Sequence, residues 1–345
     1  MGKRSTELYS QGTRAGAAYV NASPEEVVFG SSATQLFRNL SIALNFPRNS
    51  EIIVSKLDHE ANIASWVQVA EWKSFTIKWW TAINPTNPVL DPAELQKLLT
   101  PRTRLVTCTH TSNILGTISD IKSIARMVHK VPDALLCVDG VAYAPHRPLD
   151  MKELEVDFYS FSWYKVYGPH IAMMYASRDA QKHMESLGHY FKPGHTLEDK
   201  LGLAGANYEC VQSIPRIVEY LDSQTWQAIV DHEATLQELL LKYLRGKDGV
   251  QIYGVAGSDP RQRVPVISFT VAGRASASIL EAFEKRTGGN IGIRSGHFYS
   301  KRLINDVIKL EGEDGVVRVS MVHYNTEEEV KMLIENLDAV LNLAN

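Results

Sequence analysis

Phe161-Ser162-Trp163-Tyr164-Lys165-Val166-Tyr167-Gly168-Pro169 sets a lysine just past an apolar, strand-like run, and Ala134 to Asp139 ends an earlier run on an aspartate. From about Glu26 to Ser177 such runs alternate with helical stretches, which predicts a mostly parallel sheet with helices on its faces. The strand candidates are Glu26 to Phe29, Glu51 to Ser55, Phe75 to Thr81, Thr103 to Thr109, Ala134 to Asp139, Phe158 to Ser162 and Ile171 to Ala176. Between them Ala61 to Trp72, Pro92 to Leu99 and Ile121 to His129 carry apolar residues at helical spacing. Ligands of such sheets collect at the carboxyl ends of the strands, where Asp139 and Lys165 fall.

Beyond Ala176 the pattern changes. Long helical stretches, Tyr208 to Leu221 and Trp226 to Leu244, precede strands expected at Val264 to Val271, Asn290 to Arg294 and Val316 to His323. Helices at Ala275 to Lys285 and Thr326 to Leu343 are interleaved with them. The expected organisation is a large domain over 1–221 and a smaller carboxyl-terminal α/β domain over 222–345. Ser5 to Tyr19 already reads as a helix, with no strand leading into it.

The 345 residues suffice for a large core, and 44% hydrophobic with 22% charged residues is ordinary for a globular protein. A net charge of −3 and no basic stripe give no reason to expect nucleic acid or an anionic membrane as partner. Cys108, Cys137 and Cys210 are too scattered for a disulfide framework and read as free thiols of a reducing compartment. No apolar run approaches membrane-spanning length and no secretory leader is visible, so a cytoplasmic location is the default. No metal-binding cluster suggests itself.

A lysine after a strand is often a solvated charge, and an aspartate at a strand end is often a helix cap. Together they are the two protein groups that a pyridoxal phosphate (PLP) enzyme needs. The amine holds the cofactor aldehyde as a Schiff base, and the carboxylate keeps the pyridine nitrogen protonated. Gly30-Ser31-Ser32-Ala33-Thr34 follows the first strand and opens a helix, an arrangement that caps the helix or binds phosphate through its free N–H groups. Ser162 offers a further hydroxyl beside Lys165. His59, after the second strand, is placed either to stack on a cofactor ring and pass protons or to cap a helix. Asn113 could hydrogen-bond cofactor or substrate, or form a turn. Arg318 interrupts the apolar strand Val316-Val317-Arg318-Val319, so its guanidinium needs a carboxylate, from a substrate or from the protein. Arg294 invites the same two readings.

Five ordered segments resemble the class V aminotransferase family of fold type I PLP enzymes, in its cysteine-desulfurase-like branch. They are Asp58-His59-Glu60-Ala61-Asn62-Ile63, Ser112-Asn113-Ile114-Leu115-Gly116-Thr117, Val138-Asp139-Gly140, Ser162 to Pro169, and Arg318-Val319-Ser320 followed by Tyr324-Asn325-Thr326. The resemblance implies that Lys165 is the Schiff-base lysine and Asp139 the pyridine-nitrogen partner. It makes His59 the ring-stacking histidine, Asn113 a cofactor or substrate ligand, and Arg318 the α-carboxylate anchor. The phosphate falls to Ser32, Ala33, Thr34 and Ser162. A homodimer with active sites at its interface is implied, as is an amino acid substrate processed through an external aldimine and a Cα carbanion.

The departures from that pattern bear on the reaction. Desulfurases of this branch carry a cysteine shortly after the Arg-x-Gly-His run, whereas Arg294-Ser295-Gly296-His297-Phe298 leads here to Tyr299. Ala142 stands where a Gln is usual and Tyr164 where a His is usual, and the partner-subunit phosphate threonine is missing near Leu203 to Tyr208. Several stretches look more like fungal biosynthetic-cluster relatives, among which a loline-pathway enzyme uses PLP for a Mannich-type ring closure. Relatives of that kind begin with an arm of several dozen residues, so Met1 reads as a truncated start. Lyase or cyclase chemistry, in secondary metabolism, is therefore expected over desulfuration. Cysteine desulfuration or carbon–sulfur lysis, aminotransfer, and a truncated non-catalytic relative are the alternatives. A nucleotide-binding reading finds no Gly-x-Gly-x-x-Gly or Walker-type lysine after the first strand.

Overall fold

A computed structural model of the protein describes residues 2–191, 194–202, 206–221, 223–310, 312 and 314–342. The chain divides into two compact units. The first comprises 1–81, 90–110 and 120–226, and the second 82–89, 111–119 and 227–345.

The first unit is built on seven strands: β1 (Val27–Gly30), β2 (Glu51–Ser55), β3 (Thr76–Trp80), β4 (Thr103–Thr109), β5 (Leu135–Asp139), β6 (Phe158–Ser162) and β7 (Ala172–Ala176). They lie in the order β1-β7-β6-β5-β4-β2-β3. Every residue of β2, β5, β6 and β7 is buried, as expected of strands covered on both faces. Neighbours from β3 to β6 run parallel, while β7 is antiparallel to both β6 and β1. Two reversals restore the direction, so β1 points the same way as β6. The carboxyl ends of β1, β2, β4, β5 and β6 therefore open on one edge of the sheet. Leu36, Phe37 and Leu40 from the helix Ala33–Ala43 share a core with Phe158, Ala172 and Met174 of the sheet.

The second unit has a four-stranded antiparallel sheet of β8 (Val250–Tyr253), β9 (Val266–Val271), β10 (Arg294–Gly296) and β11 (Val316–Ser320), in the order β10-β11-β9-β8. Helices Ser276–Thr287 and Glu327–Leu341 bury Ile279, Phe283, Leu333 and Leu337 against Phe269, Val317 and Val319.

The fold class is the one the sequence predicts, with three local differences. Tyr208 to Leu221 is not one helix but two, Tyr208–Val211 and Ile214–Tyr220, because Pro215 cannot donate to a preceding turn and instead starts the second helix. The strand expected at Asn290 to Arg294 begins only at Arg294, since Gly288 and Gly289 hold positive φ and no residue before Arg294 pairs. The strand Val250–Tyr253 was not foreseen; it is four residues long and pairs only with β9, too short to leave a period-two signature.

Candidate active site

The common edge of the first sheet gathers the residues singled out by sequence. Asp139 ends β5, is 5% exposed, and its Oδ1 accepts the Val141 N–H at 2.9 Å. Burial raises its carboxyl to about 6, against the Val141 hydrogen bond and the nearby Lys165 charge, which both pull it down. Ser162 ends β6 and is buried, and Lys165 closes the single turn Trp163–Lys165 that follows. That turn is rooted by Trp163, which is fully buried and donates its N–H to Ile171 O at 2.8 Å, while the Lys165 side chain is exposed.

After β1, Ser32 caps the helix Ala33–Ala43 by accepting the Gln35 N–H at 3.1 Å. The Gln35 side chain in turn accepts from Ser31 N and Oγ. The N–H groups of Ala33 and Thr34, in the first helical turn, have no intrahelical acceptor and lie at the positive end of the helix. Two such donors beside serine hydroxyls are a donor set that suits a phosphate.

After β2, His59 is half-buried and its Nδ1 accepts the Ala61 N–H at 3.0 Å, which puts the proton of the neutral ring on Nε2. Its neighbour Asp58 is fully buried. Asp58 Oδ1 accepts from Asn62 Nδ2 at 2.6 Å and Oδ2 from the Thr109 N–H at 3.0 Å. Asn62 Oδ1 then accepts from Trp66 Nε1 at 3.0 Å and Thr107 Oγ1 at 2.8 Å. Burial, and secondarily the Asp139 charge, raise the Asp58 carboxyl to about 8.

Behind Asp139, the His110 N–H donates to the Asp139 carbonyl at 2.9 Å. The buried His110 ring stacks on Tyr143 at 3.5 Å and 9°, and its Nδ1 lies 2.8 Å from Tyr159 Oη. Burial holds this imidazole down to about 3, so it is neutral at physiological pH.

The second unit holds the other group. Asn113 sits in a tight loop that Gly116 makes possible: its φ is +67°, and a Cβ there would lie 2.4 Å from Val266 O. Asn113 Nδ2 donates to Phe298 O at 2.9 Å, and Oδ1 accepts from Ser300 Oγ at 2.9 Å. Arg318 Nη1 donates to Asn113 O at 3.1 Å, and its guanidinium lies 3.8 Å from the Phe298 ring centre. Burial lowers Arg318 to about 10, its Nε is buried with no acceptor, and no protein carboxylate pairs with it among the described residues. Arg294 turns instead to Glu284, at 3.4 Å, with an exposed side chain. Phe298 and Tyr299 have φ of +48° and +59°, a region that costs a non-glycine residue about 1–3 kcal/mol. Tyr299 is 71% exposed.

Sequence reasoning gave no role to Asp58, His110, Tyr143, Tyr159, Phe298 or Ser300. The i, i+4 spacing of Asp58 and Asn62 was the only visible signal among them. Of the loop Leu203 to Tyr208, where a phosphate threonine is missing by sequence, 203–205 lie outside the described residues.

A buried strand-end carboxylate beside a lysine, with two open amides for a phosphate, is a donor set that fits PLP. Comparison with known proteins agrees. The family description "Aminotransferase class-V" matches residues 1–333. Aminotransferase-like protein FGM3 of Gibberella zeae is 52% identical over 341 residues, covering 98% of this chain and 84% of its own length. Cysteine desulfurase-like protein ustD of Aspergillus flavus is 45% identical over 334 residues, covering 94% of this chain and 76% of its own. The crystal structure of the cysteine desulfurase CsdA from Escherichia coli superposes with a TM-score of 0.86 at 24% identity, over 99% of this chain and 86% of that one. The chain belongs to the class V aminotransferase family and is a PLP-dependent enzyme.

Proposed function

We propose that the chain acts on an amino acid by labilising a bond at Cα and completes a lyase or cyclase reaction, not sulfur transfer. The observation that carries this reading is the placement of Asp139 and Lys165 on adjacent strand ends, with Tyr299 at the sequence position of the desulfurase cysteine. When bound, the cofactor supplies an electron sink for the negative charge that develops at the substrate Cα. Asp139 holds a proton at the pyridine nitrogen. Lys165 Nζ would anchor the cofactor covalently and, once the substrate amine has displaced it, would move the Cα proton, while Ser32, Ala33, Thr34 and Ser162 would receive the phosphate. The His59 imidazole would stack on the cofactor ring and pass protons through Nε2. Asn113 serves the substrate side, and Arg318 takes the α-carboxylate, which its unpartnered Nε supports. Arg294, drawn to Glu284, is the weaker candidate for that role.

A homodimer and a cytoplasmic location are part of the proposal. Among the described residues no helix is long and apolar enough to cross a membrane. The fungal relatives support a place in secondary metabolism. The test is to load the purified protein with PLP, record its visible spectrum, and follow Cα-proton exchange of a panel of amino acids in D2O. A protein that shows neither a lysine-bound PLP band nor exchange with any of them is a non-catalytic relative. Turnover of cysteine with persulfide formation would instead make it a desulfurase.

A further inference from the structure

The turn His297-Phe298-Tyr299-Ser300 violates the rule for its own geometry. The Ser300 N–H closes it on His297 O at 2.8 Å, and both central residues have positive φ. Such a turn is normally built from Gly, Asn or Asp, and here it is built from Phe and Tyr. A local violation of this kind persists only where the surroundings over-determine it. Asn113 does so from both ends of its carboxamide, donating to Phe298 O and accepting from the buried Ser300 Oγ.

The product of this strain is the position of one ring. Phe298 lies flat enough on Arg318 for the guanidinium carbon to sit 3.8 Å from the ring centre, a cation–π contact that covers one face of the arginine. The backbone carbonyl of Asn113 meanwhile occupies Nη1 at 3.1 Å. A guanidinium offers a carboxylate two forks, the end-on pair Nη1/Nη2 and the side-on pair Nε/Nη2. Nη1 already spends one of its two N–H groups on Asn113 O, whereas Nε is the buried donor without an acceptor, which favours the side-on fork.

We propose that Phe298, held in its turn by Asn113 and Ser300, is a positioning residue that fixes Arg318 so that its Nε/Nη2 edge takes the α-carboxylate of an amino acid substrate. The inference rests on Arg318 being the carboxylate anchor and adds what aims it. Tyr299 then follows from the turn as an outward-facing residue, and the loop that bears a cysteine in desulfurases serves here to orient the substrate's other end.

The experiment compares the affinities of the PLP-loaded protein for L-alanine and L-alaninamide, read by the change in visible absorbance. The wild type should bind the acid better than the amide, and Arg318→Gln should abolish that preference. Phe298→Leu should weaken the acid about tenfold, ~1.4 kcal/mol, and leave the amide unchanged, so that the amide reports an intact fold. Phe298→Tyr, which keeps the ring, should retain the preference. Adding L-alanine should also move the side-chain Nε–H resonance that disappears in Arg318→Lys. If the wild type shows no preference, or Arg318→Gln keeps it, the carboxylate anchor is misassigned and the clamp falls with it. If Arg318→Gln abolishes the preference but Phe298→Leu does not, the anchor stands and the clamp is wrong. A preference with an unmoved Nε–H resonance refutes the side-on edge.

Discussion

Asp58 and Asp139 are joined through a single residue, Thr109. The Thr109 N–H donates to Asp58 Oδ2 at 3.0 Å, Thr109 pairs with Asp139 in the register of β4 and β5, and its Oγ1 reaches the Asp139 carbonyl at 3.4 Å. Two buried carboxyl groups thus flank the end of β4, and the Asp139 charge is among the causes that keep a proton on Asp58. The pair couples β5, which ends on Asp139, to the loop that bears His59.

The protonation of Asp58 has a measurable consequence for stability. Its folded value of about 8 lies above the ~3.9 of an unfolded aspartate, so the folded state binds the proton more tightly. That contribution is fully present below the unfolded value and is lost as pH rises through the folded one. Thermal unfolding of the cofactor-free protein should therefore show stability falling between about pH 4 and pH 8, by an amount on the order of a few kcal/mol. Asp58→Asn should reduce this slope to the smaller part that Asp139, raised to about 6, contributes in the same direction. An unchanged slope would mean that Asp58 is already ionised in the folded protein, held by Asn62 and Thr109.

Lys165→Ala should leave no covalently attached cofactor. Borohydride reduction of the loaded wild type followed by peptide mapping is expected to place the pyridoxyl group on Lys165, and recovering it on another lysine would displace the site.

Asp139→Asn should still bind PLP but lose most of its ability to labilise Cα, because an amide cannot hold the pyridinium proton. Removing one electrostatic contributor of this kind typically costs roughly 10²–10³ in rate. Deuterium exchange at Cα, followed by NMR, measures it directly, and exchange at the wild-type rate refutes the role.

No persulfide should form from cysteine. The sulfur acceptor must be a thiolate, Tyr299 offers a phenol, and Cys108 and Cys137 are buried with their thiols pushed well up by burial. Cys210 is partly exposed and is the thiol to monitor. Multiple turnovers that vanish in Cys210→Ser would overturn this expectation, whereas sulfide release indifferent to every cysteine substitution indicates β-elimination.

Gly140 tests how tightly the Asp139 strand end is packed. A Cβ there would fall 2.1 Å from the Tyr159 ring, which is buried and tied through its hydroxyl to His110. Gly140→Ala should lower stability by about 1–3 kcal/mol, the usual cost of overpacking, visible as a lower urea midpoint. An unshifted midpoint would show that Tyr159 can move aside freely.

The large sheet was readable because its strands are short apolar runs that stop abruptly at polar residues. Glu51–Ser55, Thr103–Thr109 and Phe158–Ser162 coincide with their expected limits for that reason. Asp139 and Lys165 were readable as the residues at such stops. Phe298 was not, because its role depends on Asn113, 185 positions away, and on a turn type its own sequence disfavours. The Asp58–Thr109 contact spans 51 positions and was equally hidden. Pro215 did carry a local signal, a proline inside an apolar helical pattern, and that pattern overrode it.

The membership of 111–119 in the second unit has a consequence for synthesis. Asn113 leaves the ribosome 187 residues before Ser300, a delay of roughly ten to forty seconds at ~5–20 residues per second. Throughout that interval Ile114 and Leu115, both 0% exposed in the finished molecule, lack the carboxyl-terminal residues met by their loop, Val264, Val266 and Ser268 among them. The nascent chain therefore carries a sticky tether about a third of the way along its length, and chaperone engagement during translation is expected to centre on that tether and not on the parallel sheet.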